Sequence, residues 1–152
     1  MRILLILDGS APAMEVALRL ARERGAELCA LFVQDDGWRG FTGNDWLSTS
    51  KSYTGFLEYV EGLEHDEARR AVEQFQRRAS ALGLEPRVKL ARGSLSRQTL
   101  AELGQGYDLL VMPQPLRRGL ESNQGAARKI IESAPCSLYL VKSPEASPAD
   151  PA

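Results

Sequence analysis

Apolar residues fall along the chain in two alternating rhythms. Ile3-Leu4-Leu5-Ile6-Leu7 is a continuously apolar run, as expected of a central parallel strand covered on both faces. Met14, Ala17, Leu18 and Ala21 then recur at helical spacing up to Gly25, with Ser10 placed to cap that helix and Pro12 in its first turn. A second run follows, Leu28-Cys29-Ala30-Leu31-Phe32-Val33. The stripe Ala68, Ala71, Val72, Phe75, Ala79, Leu82 predicts a second helix, stopped at Gly83. Val88 and Leu90 alternate with charges, which predicts an edge strand with one wet face. A short helix around Arg97 to Leu103 is capped by Ser94 or Ser96. A strand at Leu109-Leu110-Val111-Met112 comes next, then a helix from about Asn123 to Ser133. The last strand is Ser137-Leu138-Tyr139-Leu140-Val141.

Strands alternating with helices imply right-handed crossovers and a doubly wound α/β domain with helices on both faces. Five strands predict a parallel sheet in the order 3-2-1-4-5. Ligands in such sheets bind beyond the carboxyl ends of the strands, where the order reverses. That reversal lies between the first and fourth strands and brings together "LDGSAP" and "MPQPLRRG".

Residues 34–63 interrupt the alternation. They contain Gly37, Gly40, Gly43 and Gly55, yet Trp38, Phe41, Trp46, Tyr53, Phe56 and Tyr59 are six of the chain's ten aromatics. A disordered linker is aromatic-poor, so this excursion is expected to be ordered in large part, with a short helix at Phe56, Tyr59, Val60 and Leu63. It reads as a lid packed on the core or as a surface for a protein partner. Residues 1–143 are then one domain, and the polar, proline-rich 144–152 a loose tail.

Composition narrows the function. The chain has 152 residues, enough for one domain, and a formal net charge of −1 with no long basic run, so nucleic acid is a poor partner. Nothing approaches the ~18 apolar residues of a membrane span, and the N-terminus lacks a signal peptide's longer apolar region. A cytoplasmic protein is expected. Cys29 and Cys136 read as lone thiols, and no Cys/His cluster has metal-ligand spacing. His65, the one histidine, sits in a charged stretch, and no Gly-x-Ser-x-Gly elbow offers it a nucleophile. A phosphorelay receiver would need an aspartate ending the third strand, where "KLARG" stands. Neither catalysis nor a metal is expected.

"ILLILDGS", "GYDLLVM" and "ARKIIESAPCSLYLVK" resemble the start and end of the universal stress protein family, which shares its fold with the adenine nucleotide alpha hydrolases. The likeness covers nearly the whole chain except 34–63. It implies a stress-response regulator, a homodimer paired through Ser137–Val141, and a nucleotide crevice. By the resemblance, Asp8 would touch the adenosine part and backbone near Val33 the base, with Gly9, Ser10 and Met112 alongside. Asp8 and Ser10 equally suit a plain capping role for the first helix. Related ATP-consuming enzymes need a Ser-Gly-Gly-x-Asp-Ser loop after the first strand, which "LDGSAPAM" lacks.

The nucleotide-binding branch carries Gly, two residues, Gly, nine residues, then Gly-Ser or Gly-Thr. Glycines there let backbone N–H groups close on phosphate, and the following helix adds its N-terminal field. Aligned here, the first glycine falls on Pro113 and the second on Leu116. The final pair falls on Gln124 and Gly125, just before Ala126, with the loop two residues shorter. Pro113 and Pro115 have no N–H to donate. Arg117 and Arg118, before Gly119, are the counter-argument, since guanidinium groups bind phosphate, and Ser122 or Asn123 would cap the helix beyond. The expectation is weak or absent ATP binding and no resident cofactor. The alternative is ATP, AMP or cyclic AMP held by a variant loop that uses Arg117 and Arg118.

Overall fold

The computed structural model describes residues 1–34, 45–47, 66–118, 121–122 and 124–142. The expected Phe56–Leu63 helix, the packing of most of the 34–63 excursion, His65, Gly119, Asn123 and the 144–152 tail lie outside the described residues.

The elements are β1 (Arg2–Ile6), α1 (Ala11–Arg24), β2 (Glu27–Gln34), β3 (Asp45–Leu47), α2 (Asp66–Ala81), β4 (Arg87–Arg92), α3 (Leu95–Leu103), β5 (Leu109–Gln114), β6 (Arg117–Arg118), β7 (Glu121–Ser122), α4 (Gln124–Ser133) and β8 (Ser137–Lys142). The main sheet runs β3-β4-β2-β1-β5-β8. Its five long strands are parallel and stand in the expected 3-2-1-4-5 order.

Each face of β1 has its own core, which is why its sequence is apolar at every position after Arg2. Ile3, Leu5 and Leu7 join Leu28, Ala30, Phe32, Val88 and Leu90 under Met14, Ala17 and Leu18 of α1 and Val72, Phe75 and Ala79 of α2. Leu4 and Ile6 join Cys29, Leu31, Val33, Leu110 and Met112 under Leu95 and Leu103 of α3 and Ala127 and Ile130 of α4. The α1 helix ends as its sequence requires. Gly25 adopts φ 60°, and its N–H bonds back to the Ala21 carbonyl.

One expectation is corrected. β4 is not an edge strand, because β3 pairs antiparallel along it (Asp45↔Leu90, Trp46↔Lys89, Leu47↔Val88). Nor is its polar face wet at Lys89. That side chain is 16% exposed, and its Nζ lies 2.7 Å from Oε1 of Glu102, which is 3% exposed. Alternation marks one face as polar but does not tell water from a helix bearing the opposite charge.

Candidate functional site

The strand order reverses between β1 and β5, and the carboxyl ends of two such strands are where sheets of this kind place a ligand crevice. These strands are neighbours in register (Ile3↔Leu109, Leu4↔Leu110, Leu5↔Val111), and the helices that follow them, α1 and α4, pack into the cores on opposite faces of the sheet. Carried three residues on, that register brings Asp8 level with Gln114. Parallel strands stand about 4.8 Å apart, so the residues just past their ends are neighbours.

On the β1 side, Asp8 Oδ1 accepts the Ser10 N–H at 3.0 Å. Gly9 makes the turn between them at φ 90°, a conformation that disfavours any side chain. Ser10 holds the N-cap position of α1, and its carbonyl accepts the Met14 N–H at 3.2 Å. Its hydroxyl makes no capping bond. Instead Ser10 Oγ is buried without a hydrogen-bond partner. The capping role proposed for this side chain is therefore not the one it plays, whereas Ser94 does cap α3, accepting the Arg97 N–H at 3.2 Å.

On the β5 side, Met112 and Pro113 are buried strand residues. The Gln114–Pro115 peptide is cis, and Gln114 Oε1 is buried without a partner. Leu116 is 0% exposed and belongs to the α3/α4 core. Backbone of Arg117 and Arg118 then pairs with Ser122 and Glu121 in a two-stranded ribbon, which commits part of it to the chain itself. Gln124 and Gly125 open α4 as exposed residues, with Ala126 half-buried behind them. Val33 is buried near the end of β2, beside Ala91 of β4.

Burial of a leucine side chain is worth about 1.5–3 kcal/mol. At the second glycine position of the family motif, the sequence has thus spent a residue on the core where the motif leaves backbone open to phosphate. Pro113 and Pro115 remove two further donors. Among the described residues the crevice holds a carboxylate, a hydroxyl and an amide, and no nucleophile–base pair.

A second polar cluster was missed in the sequence. Glu102 faces inward from α3, accepting from Lys89 Nζ through Oε1 and from the Tyr107 hydroxyl through Oε2, each at 2.7 Å. Burial first, and then the bond it donates to Glu102, push the Tyr107 phenol far above its ordinary pKa. Burial also raises the Cys29 thiol, which the Tyr107 hydroxyl partly offsets, and the Cys136 thiol. Both cysteines are free. The available signal was a glutamate one residue from Leu103 on a short helix whose only other charged residue is Arg97.

Fold and crevice together define a doubly wound α/β domain of the kind that binds ligands where its strand order reverses. The model of the universal stress protein family matches residues 1–142, and the chain belongs to that family. Among solved structures it is similar to a universal stress protein from Archaeoglobus fulgidus (16% identity, covering 93% of each chain, TM-score 0.62). It is also similar to a universal stress protein family member from Arabidopsis thaliana with AMP bound (13% identity, 99% of this chain and 97% of that one, TM-score 0.62). A third, a universal stress protein in complex with cAMP, shows 14% identity over 94% of this chain and 97% of that one, with TM-score 0.63. At these identities the likeness concerns the fold. No curated protein matches. No helix among the described residues is long and apolar enough to cross a membrane.

Proposed function

We propose that this chain is a non-enzymatic, cytoplasmic regulator of the universal stress type that works as a homodimer and holds ATP weakly or not at all. The observation that carries this reading is Leu116, completely buried where the family motif has its second glycine. A micromolar site corresponds to about 8 kcal/mol, and each hydrogen bond to a charged group contributes roughly 1.5–3 kcal/mol. Losing the two donors at Pro113 and Pro115 costs roughly 3–6 kcal/mol, which leaves binding between about 0.1 mM and tens of millimolar.

The dimer reading is supported by β8. It is the outer strand of the sheet on that side, and Tyr139 and Leu140 on it are 39% and 42% exposed. An apolar open edge of this kind pairs readily with another strand. The edge strand on the other side, β3, is only three residues long, and so short an edge pairs poorly, which favours a pair over an open chain of molecules.

A second reading is favoured by the AMP- and cAMP-bound relatives. In it, a variant loop holds adenine nucleotide through Arg117 and Arg118. Calorimetric titration with ATP, AMP and cyclic AMP separates the two. The first reading predicts no saturation by ATP in the micromolar range. Saturable low-micromolar ATP binding, lost in the Arg117→Ala/Arg118→Ala double variant, contradicts it and establishes the second.

A further inference from the structure

We infer that the groove between α1 and α2 binds a small organic anion, an acid group carried on an apolar body. This site stands apart from the crevice, so the inference does not depend on the reading above.

The groove follows the seam where α1 meets α2 and has a volume of about 660 Å³, within the range of small-molecule sites. Its apolar part is Leu18 of α1, Ala81 at the end of α2 and Leu82 just beyond. Leu18 is buried and Leu82 half-buried, while Ala81 is exposed at the rim.

Charge decides which ligand suits it. Three arginines line the groove against two glutamates, so its wall is net positive in a chain whose formal net charge is −1. Arg78 bridges to Glu15 from one helix to the other, which ties the two walls together. Arg19 reaches Glu23 only at 4.0 Å, and both side chains are more than half exposed, a pair worth little in water. The Arg22 guanidinium makes no ion pair or side-chain hydrogen bond among the described residues. A cation in the last turn of a helix also steadies that helix. Arg24 fills that role in the same turn of α1 and lies outside the groove's lining.

What distinguishes Arg22 is thus a planar guanidinium, suited to a bidentate grip on an acid group, beside an apolar floor. An apolar body seated on that floor displaces water from the ion pair and strengthens it. A neutral ligand would leave the arginine unmatched, and a bare inorganic anion would leave the floor uncovered.

The probe is anilinonaphthalene sulfonate, an acid group on an aromatic body whose fluorescence rises in apolar surroundings, titrated into the full chain at neutral pH. Saturable binding is expected, displaced by octanoate about tenfold more effectively than by octanol. Arg22→Gln should weaken the probe about tenfold, the scale of one hydrogen bond to a charged group. Ala81→Glu, which brings bulk and a like charge into the groove, should abolish saturation. Both positions are exposed, so both variants should keep the parent melting temperature. Arg24→Gln removes the same charge outside the groove and should change affinity by less than about twofold. Absence of saturable binding overturns the inference. So do equal losses from Arg22→Gln and Arg24→Gln, which would mean general attraction to a basic surface. Binding indifferent to Ala81→Glu moves the probe out of the groove and overturns the site, and equal displacement by octanol and octanoate overturns the requirement for an acid group.

Discussion

The two ends of the sheet treat their polar groups in opposite ways. At the amino end, charges close on one another. The Arg2 N–H donates to Asp108 Oδ2 at 2.8 Å, and the Arg2 guanidinium donates to the Gln105 and Gly106 carbonyls while lying 4.4 Å from the centre of the Tyr107 ring. Glu27 bridges Arg2 and Arg87. Just inside, Glu102 gathers Lys89 and Tyr107. At the carboxyl end, Ser10 Oγ and Gln114 Oε1 are enclosed and unspent. Pairing at the first end ties α3, β4 and the start of β5 together. The second end forgoes comparable bonds at the place where doubly wound sheets bind ligands. Stability is concentrated at one end, and the capacity for recognition is left open at the other.

The sharpest way to break the contrast is at Glu102. Glu102→Ala removes the carboxylate shared by Lys89 and Tyr107 and leaves a buried hydroxyl and a nearly buried ammonium without it. Breaking such a pair costs about 3 kcal/mol, which urea unfolding will register as a lower midpoint. A loss under about 1 kcal/mol would show that this end is not where stability is held.

Alkaline pH probes the same cluster more gently. Tyr107 has a folded pKa above its unfolded one, so its contribution is complete below about pH 10 and is lost as the pH climbs past that value. Cys29 and Cys136 are shifted in the same direction, so their contributions decline from about pH 8.5. Unfolding midpoints should hold steady near neutrality and then fall, by at most about 1.4 kcal/mol per pH unit for each proton. In Tyr107→Phe the fall above about pH 10 should flatten.

The smallest effect compares two serines at equivalent positions. Ser94→Ala should cost about 1 kcal/mol, the ordinary loss of a helix cap. Ser10→Ala should stay within about 0.5 kcal/mol, because its hydroxyl is bonded to nothing in the free protein. Equal losses measured by denaturation would mean that the Ser10 hydroxyl caps α1 after all.

Much of this architecture was legible in the sequence, since the doubly covered β1, the α1 stripe up to Gly25 and the parallel order all follow from apolar spacing. So did the proline-for-glycine replacements after β5. What escaped depends on partners distant in sequence. Lys89 read as solvent-facing because its countercharge, Glu102, arrives on the next helix. β4 read as an edge because β3 comes from a segment whose glycines and aromatics carry no strand period. The fate of the Ser10 hydroxyl was equally hidden, because an N-cap serine looks the same in sequence whether or not its side chain closes on the helix. Leu116 is instructive in another way. Its position announced the loss of a glycine, but its burial, which turns an absence into an occupied site, needed the fold.

In the function proposed above, the loop after β5, committed to core at Leu116 and to a ribbon at Arg117 and Arg118, does not cradle triphosphate. The most direct test is a mass spectrum of the freshly purified protein, desorbed gently enough to retain bound molecules. A pair of chains without ATP is expected. A retained mass increment equal to ATP on each chain would contradict it.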